Sequence, residues 1–391
     1  MQTETAKKKI LIPAFDFKPA LGGVAHYTHE LISALKDLGG VDIRVLARTQ
    51  TNQESYDNSS PFPIYRITTP GTATLALKSW SHAIHTHIKT WQPDLILCPL
   101  WFPDAVATEL AQLFLKTKTP YSVVVHAMEV LPAPMTLKLQ IREKLLWPLR
   151  KKVFLKSRNV FCVSQYSKNL TLKTTGISPK KVHVVNNGVN LEIYKKSSPS
   201  NELRKSLGAE GKILLTVTRL RPYKGIDKVL ESLPAVLQKF PDLKYVIVGE
   251  GSDRARLDEL VKSLNLSENI VFLGPKDQQT IIDLYNLADL FIMLSREEHG
   301  DVEGFGLVFL EAMACGLASL GGQSGGIPDA IDDNRSGWLV SPTDVHLITK
   351  KIIEILSNDS LRAQARDYGL QMVKNRSWQK TAQKIKEILI G

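Results

Sequence analysis

The stretch Asp301-Val-Glu-Gly-Phe-Gly-Leu-Val-Phe-Leu-Glu311 places two carboxylates, Glu303 and Glu311, around a Gly-x-Gly turn. The glycines mark entry into a helix, with Glu303 in the approach loop and Glu311 about one and a half turns inside. Two acids so placed can accept hydrogen bonds from hydroxyls on different parts of one ligand. Gly304 and Gly306 leave backbone amides uncovered at the helix start, where unpaired donors and the helix dipole favour an anion or a polar sugar. A sugar carried on a phosphate meets both conditions. An ordinary glycine-led helix with two solvated glutamates has the same sequence, so the rest of the chain must decide.

Complementary cations follow the first strand-like run of the second half, in Arg219-Leu-Arg-Pro-Tyr-Lys224-Gly225. Arg219 offers phosphate oxygens a planar fork, and Lys224 adds a mobile point charge five residues later. Together they suit a departing diphosphate, whose charge grows as the bond to it breaks. Each charge-assisted hydrogen bond contributes about 1.5 to 3 kcal/mol. Gly22-Gly23 precedes a helical pattern from Val24 to Leu38 and lets the backbone approach a phosphate, although a tight turn asks for the same residues. His126 ends a strand-like run, with Glu129 in the next loop. From there a histidine can reach a sugar hydroxyl or a reacting centre, though a lone histidine is more often structural.

Other patterns carry less. Asn187-Gly188 is first a turn signal. Val248-Gly-Glu-Gly251 lacks the third glycine of a dinucleotide fingerprint and reads as a tight strand-to-helix turn. His82, His85 and His87 have no carboxylate or thiolate near them and read as a solvated helix face rather than a metal site. No P-loop and no nucleophile elbow occur, which sets aside those two chemistries.

The elements that must position these residues alternate from end to end. Strand-like runs at 10–13, 43–47, 95–99, 122–126, 160–164 and 182–185 are separated by helical patterns such as 24–38, 105–115 and 167–174. Residues 195–200, KKSSPS, read as a linker, after which runs recur at 213–218, 245–248, 270–273, 290–294, 318–320 and 338–340. This predicts an α/β protein of two doubly wound domains, residues 1–192 and 193–375, facing across a cleft. An amphipathic helix over about 376–391 is expected to return to the first domain. Ligands of such sheets bind where loops leave the carboxyl ends of the strands, and the loops singled out above all follow strands.

A chain of 391 residues fits two domains. It has no run of about 18 apolar residues, and Lys7-Lys8-Lys9 passes straight into Ile10-Leu11-Ile12 without a signal-peptide core, so a cytoplasmic protein is expected. Cys98, Cys162 and Cys315 are scattered, as reduced buried thiols would be. Of the net charge of +11, residues 1–190 carry 24 Lys and Arg against 12 Asp and Glu, so the basicity belongs to the first half. There Leu137–Arg158 (LKLQIREKLLWPLRKKVFLKSR) interleaves basic with apolar residues around a single acid. Contact with an anionic membrane, at the inner face of the cell membrane, and a solvated helix face are both open for it; nucleic acid is not expected.

Taken together the loops resemble the retaining glycosyltransferases of family 4, which have the GT-B fold, over essentially the whole chain. The matching elements are Gly22-Gly23, HAME at 126–129, VSQYSK at 163–168, Asn187-Gly-Val189, Arg219–Gly225, NIVFLG at 269–274, Glu303–Glu311 and SGGIP at 324–328. The stretch from Asp301 through Gly316 is most similar to phosphatidylinositol mannosyltransferases that use GDP-mannose. The resemblance implies that Arg219 and Lys224 hold the donor diphosphate with help from the Gly23 amide. It implies that Glu311 binds the ribose, and that Glu303 with the amides of Phe305, Gly306 and Leu307 holds the sugar. His126 would sit near the reacting centre and Lys276 near the base. A metal-free hexosyl transfer, mannosyl first, to a glycan or lipid-linked hydroxyl follows. The same fold also serves UDP-sugar transferases, sugar-nucleotide epimerases and phosphorylases, and a non-catalytic regulator could bind the same ligand. Two departures stand out: His126-Ala127-Met128-Glu129 where many relatives have His-Gly, and SREEHG at 295–300 in place of a glycine-rich lead-in.

Overall fold

A computed structural model of the protein describes residues 7–20, 22–131, 137–198 and 200–391, and the side chains at 137–146 lie outside that description. The chain forms two compact units, Met1–Asn187 with Trp378–Gly391 and, between them, Gly188–Ser377.

The first unit is built on seven parallel strands: β1 (Lys8–Ala14), β2 (Val41–Arg48), β3 (Ile64–Ile67), β4 (Leu95–Cys98), β5 (Tyr121–Val125), β6 (Val160–Cys162) and β7 (Val182–Val184), in the order β3-β2-β1-β4-β5-β6-β7. Central runs such as Ile10-Leu11-Ile12 and Val123-Val124-Val125 are wholly buried, as continuous apolar strands covered on both faces must be. On one face the helices Ala73–Trp91, Val106–Leu115 and Leu137–Lys156 share a core with Leu11, Ile96 and Val123. Helix Gly23–Asp37 receives the terminal helix Trp378–Ile390, whose Trp378 ring meets Tyr27 edge-on at 5.5 Å. Thr381 donates to the Asn186 carbonyl at 3.0 Å and Lys384 to that of Val184 at 2.8 Å.

The second unit has six parallel strands: β8 (Ile213–Val217), β9 (Lys244–Val248), β10 (Ile270–Gly274), β11 (Leu290–Met293), β12 (Ser319–Gly322) and β13 (Gly337–Val340), in the order β10-β9-β8-β11-β12-β13. In both sheets the order of strand addition reverses once, between β1 and β4 and between β8 and β11. A doubly wound sheet opens a crevice at such a reversal, because the loops on either side turn to opposite faces.

Two differences from the sequence reading are local. The edge strand β3 was not anticipated. Residues 195–200, read as a linker, lie inside the second unit, where the Ser197 amide donates to Asn286 Oδ1 at 2.6 Å and Ser200 caps the short helix Asn201–Ser206.

Candidate functional site

The reversal in the second unit decides which residues meet. The loop leaving β8 carries Arg219 to Gly225, and the loop leaving β11 carries Arg296 to Gly306. Pro222–Lys224 forms one 3-10 turn, ended by Gly225 in the left-handed region at φ +73°. A Cβ on Gly225 would run into the Leu294 carbonyl oxygen, so the two loops pack together only through a glycine. That contact sets Lys224 Nζ 2.5 Å from Glu303 Oε2, with both side chains largely buried. Burial disfavours the Lys224 ammonium, but the Glu303 carboxylate and the neighbouring Tyr223 outweigh it and raise the lysine pKa, so Lys224 is a fixed cation. It also lies 4.9 Å from the Tyr223 ring centre.

The supports of this pair come from segments that the sequence marked without giving them this purpose. Gly326 N–H donates to the Glu303 carbonyl at 2.8 Å, which gives the Ser324-Gly-Gly326 turn a structural purpose. Arg296 grips Asp227 with two hydrogen bonds of 2.9 and 3.0 Å, and its own amide donates to the Tyr223 carbonyl at 2.8 Å. Asp227 opens helix Ile226–Leu237, so this one arginine ties the β11 loop to both the turn and the helix that follow β8. Burial opposes the Asp227 carboxylate, but Arg296 prevails and its pKa is lowered. The SREEHG departure thus supplies a clamp.

Phe305 is buried, so only its backbone can face a ligand, and Gly304 and Gly306 flank it. Gly306 precedes helix Leu307–Ala314 at φ +90°, where a Cβ would meet the Phe309 ring at 2.7 Å. Glu311 is not simply solvated: the hydroxyl of buried Tyr285 donates to its Oε2 at 3.0 Å. Arg219 is exposed on its loop. The Gly249–Gly251 turn, read from sequence as structural, clasps that loop: Leu220 N–H donates to Glu250 O at 2.9 Å and Asp253 N–H to Leu220 O at 3.1 Å. Lys276 is exposed beyond the edge strand β10, two strands from the reversal, and is not brought to the Lys224–Glu303 pair.

In the first unit, His126 follows β5, and both oxygens of Glu129 accept from its backbone N–H at 3.2 and 3.0 Å. The turn between them places Ala127 at φ +92°, ψ −52°, a strained geometry that glycine adopts more easily. The residue that departs from the His-Gly pattern is therefore the one for which glycine matters. Burial lowers the His126 imidazole to about 4, against a hydrogen bond with the Pro99 backbone, so the ring is neutral near pH 7. Its Nε2 is buried without a hydrogen-bond partner, and its ring meets Tyr27 edge-on at 4.8 Å. Burial raises the Glu129 carboxyl to about 7, against the His126 and Glu129 amides and the charge of Arg150. Gly22 precedes helix Gly23–Asp37 with no side-chain cap, and nothing lies within 4 Å of a Cβ built on Gly22 or Gly23.

Residues 21–193 match the family model described as Glycosyltransferase Family 4, and residues 199–372 the model described as Glycosyl transferases group 1. The chain belongs to the family 4 glycosyltransferases. Among curated members, it is 28% identical, over 98% of each chain, to a GDP-mannose-dependent monoacylated alpha-(1-6)-phosphatidylinositol monomannoside mannosyltransferase of Corynebacterium glutamicum. It is 26% identical, again over 98% of each, to the GDP-mannose-dependent alpha-(1-6)-phosphatidylinositol monomannoside mannosyltransferase of Mycolicibacterium smegmatis. The fold is that of Anabaena HepE, solved with UDP and glucose (TM-score 0.79, 21% identity, 98% and 99% of the two chains). It is also that of sucrose-phosphate synthase from Thermosynechococcus elongatus (TM-score 0.80, 22% identity, 98% of each). This family 4 member therefore has the GT-B fold, and among its described residues no helix is long and apolar enough to cross a membrane.

Proposed function

We propose that the chain transfers a mannosyl group from GDP-mannose to a hydroxyl of a lipid-linked or glycan acceptor, with retention of anomeric configuration, without a metal, and peripherally at the inner face of the cell membrane. The observation that carries the transferase reading is the Lys224–Glu303 pair at the sheet reversal, a fixed cation and the carboxylate assigned to the sugar, held 2.5 Å apart. The GDP-mannose-dependent relatives support the donor, and the phosphatidylinositol monomannoside in their names supports a lipid-linked acceptor.

In this mechanism Lys224 and Arg219 bind the diphosphate. Lys224 meets the charge that grows on the β-phosphate as its bond to the anomeric carbon breaks. The acceptor oxygen bonds to that carbon on the same face and its proton passes to the departing phosphate oxygen, so no protein carboxylate need act as nucleophile. Glu303 accepts from sugar hydroxyls and fixes Lys224, while the amides of Gly304, Phe305, Gly306 and Leu307 donate to the sugar. Glu311, already oriented by Tyr285, takes the ribose hydroxyls, and Lys276 is assigned to the base. In the first unit, Gly22 and Gly23 are assigned to phosphate contact through their amides, and neutral His126 to a hydrogen bond at the reacting centre.

Melting with GDP-, UDP- and ADP-sugars tests the donor, since a ligand at about a hundred times its Kd stabilises by roughly 2.7 kcal/mol. A shift with UDP-sugars alone would replace GDP-mannose with a UDP-sugar. Product analysis with labelled donor, with and without chelator, tests the reaction. An inverted anomer, a dependence on metal, or an epimer or sugar phosphate in place of a glycoside would each overturn the corresponding part.

A further inference from the structure

We infer that the outer surface of the helix layer in the first unit, centred on Leu113 and Phe114, docks on an anionic phospholipid membrane. This rests on and deepens the peripheral placement proposed above, and it names a surface of which the sequence reading had singled out only the basic run Leu137–Arg158. Helix Val106–Leu115 runs between Ala73–Trp91 and Leu137–Lys156, and its last turn exposes Leu113 by 72% and Phe114 by 74%. Single exposed apolar residues are common on soluble proteins and need no explanation. These two are adjacent and are flanked by open grooves on both sides.

One groove, of about 660 Å³, has Leu110, Leu113 and Leu149 in its walls and Lys116, Lys152 and Lys156 on its rim. Among the described residues its only lining acid, Glu109, is paired with Lys156 at 2.5 Å. The other groove, of about 560 Å³, runs from Phe114 to Lys78, His82 and His85. Leu155, 44% exposed, extends the apolar surface onto the neighbouring helix.

Apolar tips ringed by lysines match the boundary of an anionic bilayer, where tips enter the acyl region and ammonium groups stay among phosphates. Of the basic run Leu137–Arg158, the end with Lys152, Leu155 and Lys156 belongs to this surface, and residues 137–146 lie outside the side chains described.

The test is sedimentation of the full chain with vesicles of phosphatidylcholine, with and without phosphatidylglycerol, at low and high salt. Binding is expected only with phosphatidylglycerol, weakened about tenfold or more by high salt as the lysine contacts are screened. Leu113→Ser with Phe114→Ser should weaken it at least about tenfold at low salt, and Lys116→Glu with Lys152→Glu at least as much, given about fivefold per cation at an anionic surface. All four positions are exposed, so the melting temperature and the donor-induced shift should stay unchanged, which separates a failure here from a failure of the proposed transfer. Absence of vesicle binding, equal binding to phosphatidylcholine alone, or undiminished binding by the Leu113/Phe114 variant would each overturn the inference.

Discussion

Lys224 must be both held and available. Glu303 neutralises it in the resting site, yet an ammonium has three donors, so a diphosphate can share it without breaking the pair. Its contribution should therefore grow in the transition state. Lys224→Ala is expected to lower turnover by about 10²- to 10³-fold, while GDP affinity measured by calorimetry falls less than about tenfold; equal losses would contradict the role. Glu129 offers a pH handle. Its carboxyl ionises near 7 in the folded chain but near the ordinary glutamate value, about 4.3, when unfolded. Between those values the folded state binds more protons, so this group's stabilisation is complete below the window and is lost as pH rises through about 7. Glu129→Gln keeps an acceptor for the His126 amide and should remove this slope, on the order of 3 kcal/mol between pH 4.5 and 7.5, in denaturant unfolding at the two pH values. Beside it, Ala127→Gly should relieve the positive-φ strain. A strain of about 1 to 3 kcal/mol outweighs the roughly 0.4 to 1 kcal/mol of chain entropy that glycine costs, so the melting temperature should rise.

The elements show what a sequence can and cannot display. The apolar runs at 10–13, 122–126 and 290–294 were legible because strands covered on both faces are continuously apolar, and the ends found by structure differ from those readings by no more than two residues. β3 was not legible: four residues long, at the sheet edge and only half-buried, it carries Arg66, which the small polar helix Gln53–Ser59 holds through Asp57. Each carrier of the site could be found by its local setting, Lys224 before a glycine and Glu303 beside a Gly-x-Gly. Their contact could not, because it depends on β8 and β11 being neighbours although β9 and β10 lie between them in the chain. The Asp227–Arg296 contact was hidden for the same reason, and Tyr285–Glu311 because it joins the helices that precede and follow β11 in the chain. Gly225 is where this arrangement is most exposed to substitution. Gly225→Ala must both keep a positive φ and push Leu294 away, so a loss of at least about 2 kcal/mol in thermal or denaturant unfolding is expected.

At the scale of the whole molecule, the first unit is assembled from two distant stretches of chain. Trp378, Ala382, Ile385 and Leu389 of the terminal helix are buried, and Trp378 covers Tyr27, the ring that also meets His126. Deleting residues 378–391 should abolish the unfolding transition of the first unit in calorimetry while leaving that of Gly188–Ser377, whose sheet is complete without them. The same helix dictates an order of birth. On the ribosome the first sheet is finished long before the helix that covers it exists, because the whole second unit is made in between. That takes on the order of 10 to 40 s at about 5–20 residues per second. For that interval the Tyr27 side of helix Gly23–Asp37 faces water or a chaperone, so the unit whose chain starts first is the one that matures last.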